Sequence, residues 1–179
     1  LLMIIFRAHF NIITMKYRAL FVCLLITFGL SAQTKSKSKS KVSAAPPIDL
    51  RAIVDKMADE HDARTIETRH WYHQNAELSN REFKTSERIA ADLRAIGIEP
   101  QTGMAKTGVV GLIKGGKPGP TILLRADIDG LPVTERGDLP WKSTNKALYQ
   151  GMNVGVMHAC GHDTHISMLL GAARILYSI

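Results

Sequence analysis

The first 42 residues contain no aspartate or glutamate, but they hold seven lysines and arginines. All 16 acidic residues fall later, where the other 16 basic residues balance them, so the formal charge of +7 belongs to the leading segment and the rest is neutral. A neutral body lacks the basic patch that nucleic-acid binding needs, and no such partner is expected. The apolar run at 19–30 has twelve residues, too few to cross a bilayer, which takes about 20. It follows Met15, Lys16, Tyr17 and Arg18 and precedes Ser31, Ala32 and Gln33, the three-part pattern of a cleaved secretory signal. The expectation is export to the periplasm or the exterior, with no stable membrane span after cleavage. Cysteine is equally scarce. Cys23 lies inside the apolar run as a small hydrophobe, without the small residues that precede a lipid-attachment cysteine. Signal removal leaves Cys160 alone, which excludes an intramolecular disulfide.

Residues 1–14 start with Leu and precede Met15, a good start of its own, so they are expected to be upstream sequence outside the mature protein. The stretch 34–41 alternates Lys with Ser, buries nothing, and is expected to be a solvated spacer. Residues 1–42 thus read as signal and spacer, and residues 48–179 as the folding part.

In that part Leu50, Ile53, Val54 and Met57 recur at helical spacing, continuing less cleanly through Ile66 toward Trp71, which predicts one long or broken helix. Ser79, Asn80, Arg81 and Glu82 have the form of a capping box ahead of a second helix, and Gly97 is placed to end it. Two β-type runs, 109–114 and 121–125, flank a Gly- and Pro-rich turn and are expected to pair as antiparallel neighbours. A last helix starts near Thr164, with Ile166, Leu169, Leu170, Ala173 and Leu176 on one face, and meets no stop signal before Ile179. The chain is therefore expected to end mid-domain. The alternation of helices and strands predicts an α/β layered domain, and there is no internal repeat.

The densest set of potential ligands is His158, Cys160, His162, Asp163 and His165. Thiolate and imidazole suit a borderline-soft ion such as zinc, and Cys160 and His162, two apart, would point the same way if the segment is extended. Cys160 could equally be a buried small hydrophobe, or a nucleophile with a His partner. A bare thiol in an oxidising compartment is a liability that metal ligation would remove, which favours the metal. Asp127 and Asp129 share a face at the C-terminal end of a strand, where α/β sheets place their sites; an Arg125–Asp127 pair pinning a loop is the plain alternative for Asp127. His73 and Glu77 are four apart, and there a hydrogen bond at a helix boundary is favoured over a site. His61 and His70 have no cluster around them and read as surface or packed histidines.

Several of these segments, taken in order, resemble one family. The run 69–79, then Thr107 to Val110, then 125–132 (RADIDGLP), and above all 157–165 (MHACGHDTH) with the following 168–173, are similar to the amidohydrolase branch of the aminoacylase and carboxypeptidase family of metallopeptidases, which includes hippurate hydrolases, N-acyl-amino-acid deacylases and auxin-conjugate hydrolases. Ala76 departs from the Pro usual in that family, which touches only the local turn. The resemblance implies a three-layer α/β/α catalytic domain, incomplete in this chain, with a smaller lid that often mediates dimerisation, so a homodimer is expected at full length. It implies two divalent ions, zinc or manganese, with Cys160 and His162 among their ligands. Asp127 and Asp163 are candidates to hold an imidazole from behind. The resemblance puts the remaining ligands and a Glu general base after residue 179, so this stretch alone is expected to be inactive. The implied reaction is hydrolysis of the amide bond of N-acyl amino acids or small peptides by metal-activated water. A non-catalytic metal- or substrate-binding relative is the alternative.

Overall fold

A computed structural model describes residues 1–8 and 48–179. The signal-like run, Cys23 and the Lys/Ser stretch lie outside the described residues.

Helix α1 is one continuous helix, Leu50–Gln74, started by Asp49, whose carboxylate accepts from the Arg51 and Ala52 N–H groups at 3.1 Å each. Its predicted apolar stripe is not core along its whole length: Ile53 and Ile66 remain exposed, and only Tyr72 and His73 are fully buried. The partner helix explains this. Helix α3, His162–Ser178, runs antiparallel to α1, with Asp163 beside His73, Gly171 beside Thr65, and Ser178 beside Met57. Among the described residues Met57 and Thr65 lie on the side that meets α3, whereas Ile53 and Ile66 are exposed and Val54 is half-buried. Helix α2, Phe83–Ile96, ends at Gly97 in the left-handed conformation (φ 102°), as its sequence predicts.

The sheet has the order β2-β3-β1-β4, formed by β1 (Leu2–Ala8), β2 (Pro100–Met104), β3 (Gly108–Gly115) and β4 (Thr121–Ala126). β1 runs parallel to β3 and antiparallel to β4, and β2 is antiparallel to β3. Two expectations are corrected here. The runs at 109–114 and 121–125 do not pair with each other, because β1 lies between them. Nor do residues 2–8 stand apart from the folded body: Leu2 and Ile4 are in the core, with relative exposures of 0% and 1%. The physical reason is the continuous apolar run LMIIF, which suits a strand flanked on both edges and buried among neighbours.

Register places Leu2, Ile4 and Phe6 beside Val109, Gly111 and Ile113, on the face that carries the helices. Ile89, Leu93, Ile98, Ile166, Leu169, Leu170 and Ala173 complete the core from that side. On the opposite face Leu112 and Leu123 stay exposed. The fold is thus mixed α/β, and the described residues form two of the three layers that the resemblance implies: the sheet and one helical layer. A hairpin follows, β5 (Lys146–Tyr149) and β6 (Met152–Gly155), turned by Gln150 and Gly151 at φ 49° and 81°.

Candidate functional site

Three loops meet beside the N-terminus of α3. The first is the link from α1 to α2, the second follows β4, and the third is the 156–161 segment after the hairpin. Two isolated bridges join them, Leu78 to Gly130 and Leu131 to Met157. The Gly130 N–H donates to the Glu77 carbonyl at 2.6 Å. A side chain at 130 would meet Ala76 and Val156 at 3.1 Å, so this approach requires glycine. Ala76, at the family's Pro position, is buried, and its carbonyl accepts from the Asn145 amide at 3.1 Å.

Glu77 has a structural role. Its carboxylate accepts from the Thr85 N–H at 2.8 Å, the Thr85 hydroxyl at 2.9 Å and the Lys84 N–H at 3.3 Å, and so satisfies the free N–H groups at the start of α2. The predicted capping box therefore forms differently. Ser79 does not cap α2, and Glu82 instead accepts from the Asn80 N–H at 2.9 Å and the Thr107 hydroxyl at 2.7 Å.

His73 does not pair with Glu77. Its Nδ1 lies 2.9 Å from Asp163 and its Nε2 3.1 Å from Glu135. All three side chains are buried, and Arg69 reaches the same Asp163 oxygen at 3.2 Å. Each ring nitrogen therefore faces a carboxylate oxygen. Burial acts to raise the Asp163 pKa; the hydrogen bonds from His73 and the Thr164 N–H bring it below the ordinary carboxylate value. Glu135 also accepts from the Ser143 N–H at 2.6 Å. This chain of contacts ties α1, the 131–145 loop and the start of α3 together.

Cys160 and His162 come out differently from an extended pair. Cys160 lies in a turn and is exposed, Gly161 is left-handed at φ 79°, and His162 is the first residue of α3. The expected same-side arrangement of an extended segment is thus replaced by a turn into a helix. His162 is held from behind: Nδ1 lies 2.9 Å from the Asp129 carbonyl oxygen and 3.1 Å from the Asp129 carboxylate. A carbonyl only accepts, so Nδ1 carries the hydrogen and Nε2 keeps a free lone pair. Asp129 is therefore the residue behind His162. Asp127 hydrogen-bonds to Arg125 at 2.7 Å, which together with the Arg125 charge holds its carboxyl below the ordinary value. Asp163 backs His73 instead.

His158 is the unexpected member. It is buried, and neither ring nitrogen has a hydrogen-bond partner. Burial, the largest influence, pushes its pKa down to about 4, so the ring is neutral at pH 7. His165 lies 5.3 Å from His162 between ring centroids. His70 stacks on Trp141 at 3.7 Å, a packed histidine as expected. His61 lines a separate cavity on the helical layer.

Among the described residues no three His, Cys, Asp or Glu side chains converge as a metal cage. The donors fit a borderline divalent ion in kind, a thiol and an imidazole with its tautomer fixed, and fall short of one in number, since catalytic zinc takes three protein ligands. No helix among the described residues is long and apolar enough to cross a membrane.

Residues 123–179 match the profile of peptidase family M20/M25/M40. Thermostable carboxypeptidase 2 of Saccharolobus solfataricus is 51% identical over 112 residues, covering 62% of this chain and 26% of that protein. Hippurate hydrolase of Campylobacter jejuni is 44% identical over 110 residues, covering 62% and 27%. Among solved structures, the YxeP protein of Bacillus subtilis, a dinuclear metal binding peptidase from the M20 family, superposes with a TM-score of 0.57 at 36% identity, covering 67% of this chain and 32% of that one. The chain spans about a quarter to a third of the length of these relatives.

Proposed function

We propose that the whole protein is a metal-dependent amidohydrolase of peptidase family M20/M25/M40, whose profile residues 123–179 match, acting on N-acyl amino acids or small peptides. The observation that carries the reading is the His162 imidazole, its Nδ1 occupied by Asp129 and its Nε2 left open, two residues from the exposed Cys160 thiol. Hydrolase relatives with small amide substrates support the substrate class.

Cys160 and His162 would hold a divalent ion, zinc or manganese, within a dinuclear centre; the ions would supply Lewis acidity toward the amide carbonyl and toward water. Asp129 orients the imidazole, and Cys160 would contribute a sulfur ligand to the ion. The rest of the whole protein would supply the other donors and the carboxylate base. A nucleophilic Cys160 is less favoured, because among the described residues no imidazole hydrogen-bonds to its thiol. Export rests on the signal-like pattern at 15–33, and a homodimer on the family resemblance.

The test is hydrolysis of hippurate and N-acetyl amino acids by the whole protein before and after chelation, and again after metal is restored. Activity should vanish and return, and Cys160→Ala with His162→Ala should abolish both activity and bound metal. Full turnover after exhaustive demetallation would refute the proposal.

A further inference from the structure

Between α1, α2 and α3 lies a second cavity, of about 410 Å3, within the range that takes small molecules. Its Arg174 end is set back from Cys160 and His162, twelve residues along α3 from His162, roughly 18 Å at the helical rise, while Ser167 brings its other end within five residues of His162. Three arginines line it, and one of them is paired. Arg88 lies 3.1 Å from both oxygens of Asp92 and stacks over the Trp71 ring at 4.6 Å. Asp92 also accepts from the Tyr72 hydroxyl at 2.8 Å, so its carboxylate is occupied.

Arg64 and Arg174 make no ion pair or side-chain hydrogen bond among the described residues, and Glu67, the other carboxylate on the wall, pairs with neither. Arg174 is half-buried; burial and then the nearby Arg64 charge lower its pKa. Arg64 is exposed and Arg174 half-buried on the same cavity, so their like charges repel each other there, and a bound anion would relieve this. A guanidinium's fork matches the two oxygens of a carboxylate. Trp71, Leu170 and Ile96 supply apolar surface on a wall that also carries polar side chains such as Thr65, Thr68 and Gln74.

We propose that this cavity binds a small carboxylate with an apolar body, its charged end between Arg64 and Arg174 and its body against Trp71, Leu170 and Ile96. The proposal is independent of any metal at residues 158–162.

The test is titration of the full chain, metal-free and at constant ionic strength, with hexanoate, followed by calorimetry and backbone amide shifts. Saturable one-site binding is expected, with shifts centred on Trp71 and Arg174. Arg174→Gln and Arg64→Gln should each weaken it about tenfold or more. Binding should persist in the Cys160→Ala, His162→Ala double variant, and acetate should bind far more weakly than hexanoate. Should Arg174→Gln lose its fold by circular dichroism, Arg174→Lys, which keeps the charge and removes the fork, takes its place and should weaken binding likewise. The proposal is overturned by no saturable binding, by equal binding of neutral hexanamide or of acetate, by undiminished binding in both arginine variants, or by loss of binding in the double variant.

Discussion

Replacing His73 by alanine tests whether the buried network at the start of α3 holds the site together. The imidazole sits between two carboxylates whose side chains are 1% and 6% exposed, Asp163 and Glu135. Removing the partner of a buried carboxylate costs about 3–5 kcal/mol, because a charge left behind loses its compensation. Asp163 keeps Arg69 at 3.2 Å and the Thr164 N–H, and Glu135 keeps the Ser143 N–H at 2.6 Å. The Arg69 side chain is 46% exposed, so its pairing is screened by water. The expected loss for His73→Ala is therefore near the low end, about 3 kcal/mol. His73→Gln can still donate to one carboxylate and should lose less than half of that. Urea denaturation of the full chain, followed by circular dichroism and by fluorescence to check a single transition, reads both values. A double-mutant cycle with Asp163→Asn should show a coupling of about 1 kcal/mol or more, as expected for residues in one network. If His73→Ala lies within about 1 kcal/mol of the parent, or if the two His73 variants are equal, the network is not what secures α3.

Asp129→Ala in the whole protein should weaken metal binding about ten- to a hundredfold, whereas Asp127→Asn should leave it nearly unchanged, because only Asp129 contacts His162; chelator competition reads both, and the reverse order would refute the assignment. Tyr72 gives a pH prediction. Burial, aided by the neighbouring Asp92, raises the pKa of its hydroxyl, so the neutral form belongs to the fold and its stabilisation is complete below the unfolded value of about 10 and declines as pH rises above it. Tyr72→Phe, which removes the 2.8 Å bond to Asp92, should cost about 1 kcal/mol at pH 7 and flatten the alkaline decline; an unchanged slope between pH 9 and 11, measured by urea denaturation, would contradict this.

What the sequence made legible in the fold was local. Gly97 ends α2 because an L-residue would be strained at φ 102°, and that requirement is written in one letter. The pairing of strands was not legible. The runs at 109–114 and 121–125 look like a hairpin because they are close in sequence, yet β1, a hundred residues earlier, separates them. No periodicity signals such an insertion, since a strand buried among neighbours shows only a short continuous apolar run. The stripe on α1 misled for a related reason: period alone does not say which residues meet a partner, and Met57 and Thr65 lie beside α3 while Ile53 and Ile66 stay exposed.

The site divides along the same line between local and long-range contacts. The residue types at 158–165 pointed to metal chemistry because a thiol and imidazoles are close in sequence, and the strand end after β4 was placed correctly at Asp127. Which carboxylate backs which imidazole depends on contacts across 33 and 90 residues, His162 with Asp129 and His73 with Asp163; of the two candidates Asp163 holds an imidazole and Asp127 pairs with Arg125. The i,i+4 spacing of His73 and Glu77 was equally misleading, because α1 ends at Gln74 and the two side chains part there, one into the core and one to the start of α2. His158 completes the argument. Its place in the motif gave no hint that it would be enclosed with both nitrogens unpaired, and such an enclosure is costly unless something polar meets the ring. The burial of His158 is therefore set by long-range packing, which the residue types of one short segment do not announce.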